Sequence, residues 1–163
     1  MKYGILFLTL GGILGVEAVT LRGFYWILAW PGLSFALVGA AYLGLGPGVF
    51  GKQPDGTIAW YALAILLPYL LLAWLTWHIA RLASREDCYN EVEPGLFIGR
   101  RPLADEVPKV VTLVVDLTSE FAEVRAVRAG RRYVAFPMLD TGVPSPFRPS
   151  ISSWEKGSIL AKD

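Results

Sequence analysis

The chain has 163 residues, a net charge of +1 and a hydrophobic fraction of 54%. That composition excludes an ordinary soluble domain, and the near-zero charge offers no concentrated basic face for nucleic acid. One cysteine, Cys88, and one histidine, His78, exclude an internal disulfide framework and a multi-ligand Cys/His metal site.

Charge is unevenly spread: residues 1–82 carry little of it and residues 83–163 carry most. Residues 3–21 form a first apolar run, close to the ~20 residues a helix needs to cross a hydrocarbon core, broken only by Glu17. Its length, and a second apolar run following at once, predict an uncleaved spanning helix rather than a signal peptide. Gly11 and Gly15 make a small-xxx-small step that permits close helix approach. Glu17 stands near the Arg22 end of the run, where it can reach the interface.

A second run covers 24–46. Trp26 and Trp30 begin it at interfacial positions, Pro31 is placed to kink it, and the Gly-Leu-Gly-Pro-Gly segment 44–48 ends it. Pro54, Asp55 and Gly56 then predict a tight turn. The third run, 58–80, contains no charged residue and has Trp60 and Tyr61 at one end, Trp74 and Trp77 at the other. His78 at its exit is expected to be a solvated interfacial imidazole. Arg81, Arg85, Arg100 and Arg101 follow this run, so its carboxyl end is expected in the cytoplasm. Three crossings then place the amino terminus outside, with Lys2 and Lys52 as weak countersignals. A reducing cytoplasm also suits a lone thiol.

Residues 83–88 read as a linker. The segment 91–99, EVEPGLFIG, predicts two short strands around a Pro-Gly turn. Residues 110–117 form a β-branched apolar run containing Asp116, typical of a strand in a parallel sheet. Residues 119–128 have helical periodicity, with Phe121, Val124 and Val127 on one face and Gly130 as the terminating residue. A second strand is predicted over 133–136 and a Pro/Gly-rich loop over 139–149. A short helix with a Ser152–Glu155 capping box follows, and 157–160 has the look of a further strand. This rhythm predicts a mainly parallel α/β sheet.

The pieces PGLFIG at 94–99, VVDLTSE at 114–120, YVAFPMLD at 133–140 and the Pro144-Ser145 pair resemble the amino-terminal half of a dual-specificity protein phosphatase domain. That domain belongs to the cysteine-dependent protein tyrosine phosphatase superfamily. The resemblance covers roughly 89–160 and is similar to bacterial, membrane-anchored forms. It implies a multi-span α-helical membrane region over 1–82 followed by an incomplete α/β phosphatase-like domain over 89–163.

It also implies phosphate-monoester hydrolysis through a cysteinyl-phosphate, with Asp140 at the position of the general acid. The family's His-Cys-x5-Arg loop does not occur in the sequence, and Cys88 is followed six positions later by Pro94 instead of Arg. The expectation is therefore an inactive chain, truncated before its nucleophile. No cofactor or metal is implied. The expected partners are the lipid bilayer and, for a complete form, a phosphoprotein or phospholipid substrate. Two alternatives stand beside it. One is a non-catalytic membrane interaction or scaffold protein, and the other a small transporter, for which a single intramembrane acid gives no evident pathway.

Overall fold

A computed structural model describes residues 2–21, 23–84, 87–103 and 105–139. Helix α1 spans Lys2–Leu21, and a 3-10 segment, Gly23–Leu28, leads into α2, Ala29–Ala40. A π-turn over Ala41–Leu45 and a 3-10 turn over Pro47–Phe50 close this part, and α3 covers Trp60–Ala83. Three helical stretches, Lys2–Leu21, Gly23–Leu45 and Trp60–Ala83, are long and apolar enough to cross a membrane. They match the three expected runs to within a few residues at each end.

Helices α1 and α2 form an antiparallel hairpin whose seam is made by glycines. A Cβ on Gly11 would stand 2.7 Å from the backbone of both Gly32 and Ala36, and one on Gly39 would stand 2.7 Å from the backbone of Leu8. Gly11 of the anticipated small-residue step thus lies in the seam. A Cβ on Gly15 would point into open space, although its backbone still borders Gly32.

In the second run, Pro31 follows closely on the change from a 3-10 segment to an α-helix at Ala29. It is the third residue of α2, in the first turn, where a missing N–H leaves no intrahelical bond unmade. The internal proline that matters is Pro68, inside α3. It cannot donate to the carbonyl of Ala64, one turn back. The indole Nε1 of Trp30 donates to that carbonyl instead, at 3.0 Å. One residue on, the Tyr69 N–H donates to Ser34 Oγ at 3.3 Å, with Ser34 fully buried. Helices α2 and α3 are therefore joined where α3 has a backbone defect, and α2 supplies the donor that Pro68 cannot.

The chain after α2 folds back so that Phe50 is fully buried. It joins Phe35, Val38, Ala41, Leu66, Tyr69 and Leu70 in one core, against which Phe7, Tyr42 and Leu139 also pack. The expected turn at 54–56 is present: Asp55 Oδ1 accepts from the N–H and hydroxyl of Thr57, at 3.0 and 2.6 Å.

Strands β1, Tyr89–Glu93, and β2, Leu96–Gly99, pair antiparallel. Gly95, at φ +83°, takes the left-handed position of the turn between them. Strands β3, Leu113–Thr118, and β4, Arg132–Met138, pair in parallel, with Val115 opposite Val134 and Asp116 opposite Ala135. A parallel pair with an intervening crossover is the expected α/β unit in outline. The full phosphatase-like domain is not seen among the described residues.

Two boundaries are corrected. β3 starts at Leu113, not at 110, because Val111 N–H turns back onto the Pro108 carbonyl at 3.1 Å. The helix expected over 119–128 is reduced to α4, Arg125–Arg128. Its first part is held by distant partners instead of its own turns: the Glu123 N–H donates to Gly56 O at 2.8 Å, and Arg101 donates to Ala122 O at 2.8 Å. The elements expected at 150–155 and 157–160 lie outside the described residues.

Candidate functional site

The densest polar cluster lies where residues 51–59 meet the β3–β4 pair. A cation or acid set among apolar residues needs a partner, because an unpaired buried charge is very costly. Lys52 is the lone cation between the second and third apolar runs, and Asp116 is the lone acid in β3. Their side chains are 0% and 5% exposed, with Lys52 Nζ 2.5 Å from Asp116 Oδ2. Lys52 also donates to the Thr118 carbonyl at 2.7 Å and to Thr118 Oγ1 at 2.9 Å. Asp116 Oδ1 accepts from the Thr118 N–H and hydroxyl, both at 2.8 Å, and its Oδ2 accepts from the Tyr133 hydroxyl. The carboxylate is thus fully engaged.

The electrostatics follow from that packing. Burial pushes the Lys52 ammonium down from its ordinary range, more than the Asp116 bond and charge restore it. Burial alone would raise Asp116, but the Lys52 and Tyr133 hydrogen bonds outweigh it and leave the carboxyl below its usual range. Burial and the adjoining Asp116 carboxylate push the Tyr133 phenol up. An ionised acid with every lone pair occupied is a fastening and not a proton donor.

Around this cluster run further links between the same two parts of the chain. Arg128 donates to the Asp55 carbonyl, and Tyr133 lies so close over Gly56 that a Cβ there would strike the phenol. A shallow groove of about 400 Å³ borders the cluster, lined by Asp55, Thr57, Arg125, Arg128 and Ala129. Nearer α3, Glu120 accepts from the Tyr69 hydroxyl at 2.7 Å, and Arg101 lies over Trp77 and Phe121 at 5.5 and 5.2 Å from the ring centres.

Cys88 lies beside a second polar knot. Glu106 pairs with Arg81 and Arg100, each at 3.0 Å, and accepts from the Leu103 N–H at 2.7 Å. Burial and the Glu106 charge push the Cys88 thiol up, the reverse of what a nucleophilic thiolate requires. His78 is half-buried, its ring tilted at 46° and 47° against those of Trp74 and Trp77 with centres 3.9 and 4.7 Å away, and is not the solvated imidazole expected at the helix exit. No group of three or more His, Cys, Asp or Glu residues able to hold a metal occurs among the described residues.

No protein family model matches this chain, and neither does any curated protein or solved structure.

Asp140, the general acid implied by the resemblance, lies outside the described residues, two positions beyond the end of β4. The described residues immediately before it are anchored. Ser119 Oγ donates to the Met138 carbonyl at 2.6 Å, and Leu139 packs on the helical core. Lys52, Thr118 and Tyr133 were not anticipated as a group. The available signal was slight: a single aspartate in an apolar strand, and a single lysine in the short polar segment 51–57.

Proposed function

We propose that the chain is a membrane-embedded helical platform carrying the acid-loop half of a dual-specificity-phosphatase-type domain, with the α/β part facing the cytoplasm. The observation that supports this most directly is the parallel β3–β4 pair, joined by a crossover and leading at Met138 toward Asp140. That is the order in which such a domain presents its general acid. Arg81, Arg100 and Arg101 after α3 favour the cytoplasmic side. Tethering would hold the unit against phosphoproteins or phospholipids at the membrane surface.

Residues 1–163 contain no His-Cys-x5-Arg sequence, and burial and the Glu106 charge push the Cys88 thiol up, away from thiolate chemistry. The reading therefore assigns no phosphoryl transfer to this polypeptide. Incubated with an aryl phosphate, purified residues 1–163 should give no turnover, and Asp140→Ala should leave that result unchanged. Turnover abolished by Cys88→Ser would overturn the assignment.

A non-catalytic partner-binding role is the second reading. Leu113, Val115 and Leu117 on one side of β3 favour it, being 44%, 53% and 50% exposed. Coding sequence downstream of position 163 that specifies Val-His-Cys-x5-Arg would decide for the first reading. Unrelated sequence there would decide for the second.

A further inference from the structure

Lys52 precedes α3 and Asp116 follows it, yet their side chains are in direct contact. A helix of 24 residues at 1.5 Å per residue is about 36 Å long, enough to separate its two ends by a full bilayer. If α3 crossed the membrane, residues 51–59 and the β3–β4 pair would lie on opposite sides, and the five links between Lys52, Asp55 or Gly56 and Asp116, Thr118, Glu123, Arg128 or Tyr133 could not exist.

The path back is itself visible. Glu106 meets Arg81, Arg101 and Phe121 meet Trp77, and Glu120 meets Tyr69, so charged, irregular chain runs beside α3 from its last turn toward its first half. Such chain cannot lie in hydrocarbon, where unpaired backbone and charged side chains are strongly excluded.

We infer that α3 does not carry the chain across the bilayer: α1 and α2 form a two-crossing hairpin, and the amino terminus, residues 46–59 and the β3–β4 unit share one side.

The distribution of cations fits this arrangement. With three crossings, Lys2 and Lys52 oppose Arg22, Arg81, Arg85, Arg100 and Arg101. With two, Lys2 and Lys52 join the arginines after α3, and Arg22 alone stands on the far side. The inference does not rest on the phosphatase reading and would survive its failure.

The test is sided labelling in sealed membrane vesicles of both orientations, in full-length protein carrying Cys88→Ser. Single cysteines at exposed positions, F24C, Q53C and N90C, are treated with a membrane-impermeant maleimide. Positions 53 and 90 should label from the same side and position 24 from the other. Labelling of 53 and 90 from opposite sides overturns the inference. In the same membranes a D55C/R128C pair should be joined by a short bifunctional maleimide, since Arg128 reaches the Asp55 carbonyl. No cross-link would equally overturn it.

Discussion

At the scale of single residues, the fold is held by charges that are each met by an opposite charge and by further hydrogen bonds. Lys52 illustrates the asymmetry of buried pairs: removing one partner costs more than the pair itself contributes. Lys52→Met should leave Asp116 buried without its cation and destabilise the docked arrangement by about 3–5 kcal/mol. Adding Asp116→Asn, which keeps one acceptor oxygen for the Thr118 N–H and hydroxyl and removes the charge, should recover part of that loss. Denaturant unfolding of the purified protein in detergent measures both, and a double variant less stable than Lys52→Met would contradict the pair's role.

Trp30 gives a second residue-level test. Its indole fills the gap that Pro68 leaves at the Ala64 carbonyl. Trp30→Phe should cost about 1 kcal/mol for the lost hydrogen bond, beyond any packing change. Pro68→Leu restores an N–H that can reach Ala64 from within α3. In that background the hydrogen-bond part of the Trp30→Phe cost should vanish, a coupling that a double-mutant cycle reads directly.

At the scale of elements, what the sequence makes legible is what depends on local pattern. The three apolar runs, the 91–99 hairpin, the 54–56 turn and the alternation of strand and crossover all follow from composition and turn chemistry, and all appear in place. Gly130, at φ +73°, sits just past α4 where a terminating residue was expected. The lost first half of the 119–128 helix shows the limit. Its periodicity was helical, but Gly56 and Arg101 claim the peptide groups that a helix would use, and both are distant in sequence. Lys52 with Asp116 was invisible for the same reason, since each residue alone carries no pointer to the other.

Element packing also makes a sharp prediction within α1. Gly11 and Gly12 are adjacent glycines in one helix, with the same expected gain of up to about 1 kcal/mol in helix propensity on substitution by Ala. Gly11→Ala would drive a methyl to 2.7 Å from the α2 backbone, whereas Gly12→Ala meets nothing within 4 Å. The first should separate the hairpin at a cost of about 1–3 kcal/mol, and the second should be neutral or stabilising. Thermal unfolding of the two variants in the same detergent distinguishes them. Equal midpoints would mean that the seam is not closed at Gly11.

At the scale of the whole molecule, the two polar knots fasten the return segment at both ends of its run, Glu106 beside the end of α3 and Asp116 beside residues 51–59. Their shared dependence on pH is a test of the docked form. The Leu103 N–H, followed by Arg100 and Arg81, holds the Glu106 carboxyl down at about 2 against the opposing effect of burial. Asp116 is also held below its ordinary value. A carboxyl depressed on folding binds its proton more weakly folded than unfolded. The stability it contributes is therefore complete above its ordinary range of about 4 to 4.5 and is lost as pH falls toward 2. Docking should accordingly be insensitive to pH from 7 down to about 5 and weaken below. Trp77, which lies between Arg81 and Arg101, reports on it. A fluorinated tryptophan at position 77 should keep one resonance down to about pH 5 and shift below it. Glu106→Gln should shift that resonance already at neutral pH and flatten the acid transition. A transition centred near neutrality, or one unaltered by Glu106→Gln, would show that these carboxylates do not hold the return segment in place.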